Sequence, residues 1–189
     1  MLVFLFSLLA SLTVFAGETK PVLSQNGTVY DPETLMKQCA PRVATITMGK
    51  LTYVESTWNA YAININHKGW RLAHQPRSKA EAVATLNHLL ATYGSIKTFS
   101  VDVGVGQINS RNIPKLGLKA EQLFDPCENL RAAQVILVDC YQRALAQKGR
   151  EHVALPAALS CYNSGNFSRG FQNGYVSKVY RAPVPKHRE

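Results

Sequence analysis

The feature that most constrains the fold is a long amphipathic helix, predicted over residues 127–147. Two of its residues, Cys127 and Cys140, are thirteen positions apart. At ~1.5 Å of rise per residue they are separated by roughly 20 Å, whereas a disulfide needs Cα atoms about 5.5 Å apart. The helix therefore excludes a Cys127–Cys140 bond. The apolar positions that define it recur every three or four residues; they are Leu130, Ala133, Leu137, Cys140, Tyr141 and Ala144.

The chain begins with a segment that is predicted to be a secretory signal peptide, residues 1–16. An uncharged apolar run is followed by Ala16, a small residue suited to cleavage. No Lys or Arg precedes the run, so an uncleaved anchor is the alternative, although the run is short for a bilayer span of ~20 residues. We therefore expect an exported, periplasmic protein. Its 189 residues suit one domain, which we expect at 33–182, between a linker at 17–32 and a tail at 183–189.

Four cysteines in an exported chain suggest two disulfides. The long helix and the next predicted helix, at 153–163, are joined by a short connection, which favours antiparallel neighbours. Cys140 and Cys161 lie at similar distances from that connection, so we expect a Cys140–Cys161 bond. Cys39 and Cys127 would then form the second bond. The remaining connectivity, Cys39–Cys140 with Cys127–Cys161, stays open because helix rotation could turn either sulfur away.

Neither a metal site nor a cofactor is expected. The cysteines form no C-x-x-C motif and the five histidines form no H-x-x-x-H pair, so zinc-ligand spacing is lacking. The chain carries 21 Lys and Arg against 12 Asp and Glu, a net charge of +9. Without a dense basic stripe or a binding motif, this charge does not predict a nucleic-acid partner. We expect a monomer.

The fold is predicted to be mainly α, of an α+β type, with a small irregular or β element around residues 60–106. Asp31 followed by Pro32 marks the start of a first helix, which should stop near Pro41. Pro156 is expected in the first turn of the helix at 153–163, where proline is tolerated. Further helices are predicted at 44–57, 78–94 and 173–181.

Glu55 is the first candidate for chemistry. It is flanked by Tyr53, Val54 and Trp58, and such surroundings raise the pKa of a carboxyl because they disfavour its charged form. A carboxyl of this kind can act as a general acid near neutral pH. On this fragment alone, an ordinary exposed glutamate near a helix end is the simpler interpretation.

A second candidate segment spans residues 102–111 and contains two glycines and two amides. Gly104 and Gly106 allow the backbone to approach another group closely. Gln107 and Asn109 supply amides that could hold sugar hydroxyls or an acetamido group. By itself the segment is equally compatible with a glycine-containing turn.

A third segment, residues 160–165, could present a phenol and an amide to a cleft, although a helix end with a core tyrosine is the plain alternative. In their order along the chain, the three segments and a late tyrosine resemble the lytic transglycosylases of the lysozyme superfamily. The likeness spans about residues 33–182 and is greatest to the specialised members that serve type IV secretion and conjugation machines. The residues that carry it are Glu55, Ser56, Gly104, Gln107, Tyr162, Asn163 and Tyr175.

The resemblance implies a role for each of these residues. Glu55 matches the single catalytic acid, and Ser56 its structural neighbour. The segment from Gly104 to Gln107 matches the motif that lines the glycan groove. Gly106 and Cys161 depart from the family pattern, which usually has Met and Ala at these positions. The remaining matches are Tyr162 and Asn163, beside the acid, and Tyr175, the late tyrosine.

The same resemblance implies a lysozyme-like cleft and an intramolecular reaction. Peptidoglycan would be cleaved between N-acetylmuramic acid and N-acetylglucosamine, and the C6 hydroxyl would close a 1,6-anhydro ring. This needs one catalytic carboxyl, whereas most glycosidases use two. The implied partners are peptidoglycan strands and proteins of a secretion or conjugation apparatus, and the positive charge favours binding near anionic wall polymers.

Two other functions remain open. Residues 102–111 also resemble the stretch of animal-type lysozymes that begins with their second catalytic carboxylate, which puts Asp102 on that position. A hydrolysing muramidase would then use Glu55 as acid and Asp102 as nucleophile or stabiliser, although four cysteines do not match that family's eight. A wall-binding assembly factor without turnover is the third hypothesis, against which the carboxyl of Glu55 argues.

Overall fold

A computed structural model describes residues 31–95 and 99–184, together with two short paired strands, Ser24–Gln25 (β1) and Thr28–Val29 (β2). The expected signal peptide lies outside the described residues, as do most of the expected linker and tail. The helices are α1 (Pro32–Cys39), α2 (Thr45–Ser56), α3 (Lys79–Tyr93), α4 (Ile113–Leu116), α5 (Pro126–Lys148), α6 (Glu151–Ser164), α7 (Arg169–Gln172) and α8 (Tyr175–Arg181).

The long helix α5 lies at the centre of the fold. Asp125 caps it, because its Oδ1 accepts hydrogen bonds from the amides of Cys127 (2.9 Å) and Glu128 (3.0 Å). Gly149, at φ 65°, ends the helix and lets α6 pack back against it. None of the helices in the described ranges combines the length and apolar character that a membrane span requires. The mainly α fold predicted from the sequence is confirmed.

Two disulfides connect neighbouring helices to α5. Cys39, at the end of α1, is bonded to Cys127 in the first turn of α5, and their Cα atoms are 5.2 Å apart. Cys140 is bonded to Cys161 of α6, with Cα atoms 5.8 Å apart. These are the two pairings that the antiparallel arrangement of α5 and α6 led us to expect.

A three-stranded antiparallel sheet lies beside the helices, in the order β3 (Ile63–Ile65), β4 (Val101–Val103), β5 (Ile108–Asn109). On β4, Val101 and Val103 are buried, and Asp102 points to the other face because side chains alternate along a strand. Asp102 is paired with Asn64 on one side and Asn109 on the other. The sheet therefore extends past the 60–106 element that we predicted, since β5 lies beyond it.

Two predicted helix boundaries were wrong. Helix α6 begins at Glu151, so Pro156 lies in its second turn and not in its first. The helix expected at 173–181 is preceded by α7 and begins only at Tyr175, because Gly174 adopts φ 77° and separates the two helices. Helix α4 and the 3₁₀ turns at 110–112 and 120–124 were not predicted, since such short elements carry little hydrophobic periodicity.

Candidate active site

The end of α2 places Glu55 at the cleft. The helix stops because Thr57 adopts the left-handed conformation (φ 55°), and its amide donates to the carbonyl of Tyr53 at 2.8 Å. Glu55 therefore lies in the last turn. The adjacent Ser56 donates through Oγ to the carbonyl of Val105 at 2.8 Å. This bond joins the helix end that carries the acid to the turn that follows β4.

The carboxyl of Glu55 is half-buried in the cleft and hydrogen-bonded. Burial disfavours its charged form and raises its pKa from 4.5 to about 7. The hydroxyl of Tyr175 donates to Glu55 Oε1, which favours the charged form and opposes this rise. The negative charge of Asp102 raises the pKa of Glu55 further. Near neutral pH the group can therefore both release and accept a proton, as a general acid must.

Asp102 is held by two amides, one on each oxygen. Asn66 Nδ2 donates to Oδ2 at 2.7 Å, and Asn109 Nδ2 donates to Oδ1 at 2.7 Å. Burial raises the pKa of Asp102, while these hydrogen bonds stabilise its charged form and limit the rise. The carboxylate thus has a fixed orientation on the exposed face of β4, within the same cleft as Glu55.

The turn between β4 and β5 is closely packed at its two glycines. At Gly104, which has φ 77°, a Cβ atom would collide with the side chain of Asn129 and the carbonyl of Leu123. At Gly106 it would lie 3.1 Å from the Tyr162 hydroxyl, which donates to the Gly106 carbonyl at 2.6 Å. The glycines predicted that another group approaches this backbone closely, and side chains of α5 and α6 do so.

Asn129 is a residue that the sequence interpretation missed. It is fully buried on α5, where its Nδ2 donates to the carbonyls of Val103 (2.9 Å) and Leu123 (2.8 Å). Its Oδ1 accepts from the amide of Gly106 at 2.7 Å. The sequence does contain a signal for this residue: Asn129 is polar but lies on the apolar face of the amphipathic helix, and a buried amide requires hydrogen-bond partners.

The two tyrosines beside the acid act as neutral donors. Burial raises the pKa of both Tyr162 and Tyr175 well above 10, and the negative charge of Glu55 adds to the rise. Each phenol therefore keeps its proton at physiological pH. Asn163 lies at the rim and is exposed, and its Oδ1 accepts from Asn173 Nδ2 at 2.9 Å.

Six of the residues singled out in the sequence line one cleft of about 780 Å³. Ser56, Gly104 and Tyr175 do not line it and instead support its walls through the contacts described above. Two amides that line it are engaged with the protein: Gln107 Nε2 donates to the Gly104 carbonyl at 2.9 Å, and Asn109 holds Asp102. The six are Glu55, Asp102, Gln107, Asn109, Tyr162 and Asn163.

Several cleft residues have no counterpart among the sequence candidates. They are polar or basic and occur singly in the sequence, so no motif marks them; they are Asn66, Lys115, Arg169 and Asn173. Arg111 also lines the cleft, at the end of the candidate segment 102–111. Within the described ranges, no group of three or more His, Cys, Asp or Glu side chains is placed to hold a metal ion.

Comparison with known proteins identifies relatives of this chain. The type IV secretion system protein virB1 of Brucella abortus and that of Brucella suis are each 44% identical over 151 residues, which cover 77% of this chain and 60% of the relative. Protein virB1 of Agrobacterium fabrum is 37% identical over 146 residues, covering 77% of this chain and 56% of the relative. The chain thus matches less than two thirds of the length of these relatives. No solved structure shows significant similarity to it.

A family model also matches most of the chain. The model of the transglycosylase SLT domain matches residues 34–182. This range contains the cleft, both disulfides and the eight α-helices described above, except for the first two residues of α1. On this match, and on the identity to the virB1 proteins, the chain belongs to the transglycosylase SLT domain family.

Proposed function

We propose that this chain is a peptidoglycan lytic transglycosylase with Glu55 as its single catalytic acid. The substrate bond is the β-1,4 linkage between N-acetylmuramic acid and N-acetylglucosamine. The observation that carries the proposal is the state of Glu55: it lines the cleft, it is hydrogen-bonded by Tyr175, and its pKa is raised to about 7. A carboxyl that is protonated near neutral pH can donate to a glycosidic oxygen.

The first step is protonation and bond cleavage. Glu55 gives its proton to the oxygen that links the two sugars, and the bond from that oxygen to C1 of the muramic acid breaks. The acetamido oxygen of the same sugar assists at C1. Tyr175 supports this step because its hydrogen bond becomes stronger as negative charge develops on Glu55.

The second step closes the ring. The C6 hydroxyl of the muramic acid attacks C1, and its proton returns to the carboxylate of Glu55. No water is consumed, and Glu55 ends in its starting protonation state. One carboxyl therefore serves as acid and then as base.

A hydrolysing muramidase is the second candidate, because Asp102 lines the same cleft and its charge contributes to the raised pKa of Glu55. In that mechanism Asp102 would attack C1 or activate water. Both of its oxygens already accept hydrogen bonds at 2.7 Å, from Asn66 and Asn109. These bonds occupy both oxygens and fix the orientation of the carboxylate, which favours a positioning role, so we rank the transglycosylase first.

The mass of the reaction products tests the proposed chemistry. Purified peptidoglycan digested by the protein should give muropeptides whose terminal sugar lacks one water. Glu55→Gln should lower the rate by ~10²-fold or more, since an amide cannot deliver the proton. A reducing end in the products would indicate hydrolysis, and a near-native rate for Glu55→Gln would refute the assignment of the acid.

Asp102→Asn distinguishes the two enzyme mechanisms. For the transglycosylase we expect a loss of about tenfold or less, because only the local hydrogen bonds change. For the hydrolase the loss should approach that of Glu55→Gln. Initial rates on purified walls decide between them, with circular dichroism to verify that the variant remains folded.

We further propose that the protein is exported and opens the wall locally for a secretion or conjugation apparatus. The names of the virB1 relatives, the sequence of the first sixteen residues and the paired cysteines support this context. Expression in a Gram-negative host with fractionation tests it: the mature chain should appear in the periplasm with its start at residue 17. Retention of the full-length chain in the membrane fraction would contradict cleavage.

A further inference from the structure

The cleft contains three basic side chains that the proposed cleavage step does not use. Arg111 and Lys115 come from the segment after β5, and Arg169 comes from α7. Among the residues that the structure describes, the acidic side chains that line the cleft are Glu55 and Asp102. Because the pKa of Glu55 is raised to about 7, that carboxyl is not fully ionised at neutral pH. The lining is therefore net positive.

Lys115 and Arg169 have no acidic partner in the part of the chain that the structure describes. Four ion pairs are formed there, and neither residue belongs to any of them. Both side chains are exposed to the cleft. Their charges are thus available to a ligand.

Arg169 is the first residue of α7, and hydrogen bonds connect the backbone around it to α6. Asn166 Oδ1 accepts hydrogen bonds from the amides of Ser168 (2.8 Å) and Arg169 (3.1 Å). Ser160 Oγ donates to the Asn166 carbonyl at 2.6 Å and accepts from the amide of Gly170 at 2.8 Å. The backbone on both sides of Arg169 is therefore tied to α6, which gives the base of its side chain a defined position on the cleft wall.

The segment that carries Lys115 is connected to Asp102 through the side chain of Asn109. The short helix that carries it ends at Gly117 (φ 66°) and follows a turn that Asn109 caps by accepting from the amide of Arg111 at 3.0 Å. The amide nitrogen of the same Asn109 side chain donates to Asp102. The side chain of Asn109 thus orients the carboxylate of Asp102 and also caps the turn that leads to Lys115.

We propose that Lys115 and Arg169 form a carboxylate-binding subsite for the peptide stems of the glycan strand. The inference rests on the proposed function. In peptide-substituted strands the sugar chain offers neutral hydroxyl and acetamido groups, and the negative charges are carboxylates on the stem peptides. Guanidinium and ammonium groups bind carboxylates through charge-assisted hydrogen bonds. Strands with free stem carboxylates should therefore bind better than strands whose stem carboxylates are amidated.

The test compares soluble peptidoglycan strands with the same strands after chemical amidation of their stem carboxylates, which removes charge and leaves the sugar chain unchanged. We expect kcat/KM of the native protein to favour the charged strands by about fivefold at low salt, as two partly exposed ion pairs would give. The preference should decrease in 0.5 M NaCl because salt screens exposed charges. In the double variant Lys115→Gln/Arg169→Gln the ratio should fall to about one.

The matched control is Lys148→Gln/Arg150→Gln, which removes the same charge from exposed residues at the connection between α5 and α6. This control should keep the native ratio. A native ratio near one, or an unchanged ratio in Lys115→Gln/Arg169→Gln, would overturn the subsite.

A binding measurement separates this subsite from the proposed function. Calorimetric titration of the Glu55→Gln variant with the two strands needs no turnover. A preference for charged strands that is lost when Lys115 and Arg169 are also replaced supports the subsite even if no anhydro product forms. Equal affinity for both strands counts against it, whatever the catalytic result.

Discussion

Tyr175 and Glu55 share one hydrogen bond, and the effect of that bond on the acid can be isolated. The bond lowers the pKa of Glu55 against the larger effect of burial. In Tyr175→Phe the pKa of Glu55 should therefore rise above its value of about 7. Because the protonated acid is the active form, the alkaline limb of kcat/KM should move to higher pH, with a loss of about tenfold or less at the optimum. A pH–rate profile from about pH 5 to 9 measures both.

Tyr162→Phe is the matched control for that profile. It also removes one phenolic hydroxyl beside the acid, but the lost bond goes to the Gly106 carbonyl and not to Glu55. We expect a lower rate with the alkaline limb unmoved. If both variants shift the limb equally, the hydrogen bond from Tyr175 does not set the pKa of the acid.

Among elements, the turn between β4 and β5 is packed so closely that it tolerates little change at Gly104. Gly104→Ala should destabilise the fold by about 3 kcal/mol or more, because a left-handed residue gains a Cβ atom that overlaps Asn129 and Leu123. Gly149→Ala is the control, since Gly149 is also left-handed (φ 65°) and has open space around it. It should lose only about 1 kcal/mol. Urea unfolding of both variants gives the comparison, and equal losses would contradict the packing argument.

Helices were predictable from the sequence where their ends carry local signals. Asp31 accepts from the amide of Thr34 at 2.9 Å, and Ser78 from that of Glu81 at 3.1 Å, as their capping residue types indicated. Strand β5 has only two residues and α7 has four. Such elements are stabilised by contacts with other elements, for example the bond that the amide of Gly170 in α7 donates to Ser160 Oγ of α6. No periodicity in their own residues records those contacts.

At the scale of the whole molecule, the cleft is assembled from residues that are far apart in sequence. Glu55 comes from α2, Asp102 from the sheet and Tyr162 from α6, and a central helix carries Asn129, which connects the sheet turn to the core. The sequence motifs pointed to six polar residues that the structure brings together in the cleft. They could not predict that Asn109 would hold Asp102, because that contact exists only once β4 and β5 pair.

Burial of the acid makes the stability of the whole fold depend on pH. The pKa of Glu55 is 4.5 as a free group and about 7 in the folded protein. The folded state therefore keeps a proton that the unfolded state has lost between these values, so the contribution of Glu55 to stability is full below about pH 4.5 and declines as pH rises to about 7. Allowing for partial exposure, the loss is on the order of 2 kcal/mol.

Glu55→Gln removes this titration, and its effect on stability should follow the same window. Relative to the native protein, we expect little change in Tm at pH 4 and an increase of roughly 5 °C at pH 8, since the oxygen of the introduced amide accepts the hydrogen bond from Tyr175 without carrying charge. Glu121→Gln, at an exposed glutamate, is the control and should leave Tm unchanged at both pH values. Thermal scans at about pH 4, 6 and 8 decide the matter. An equal shift at every pH would mean that the gain comes from packing, whereas a gain that grows as the pH is raised identifies the buried carboxylate as its source.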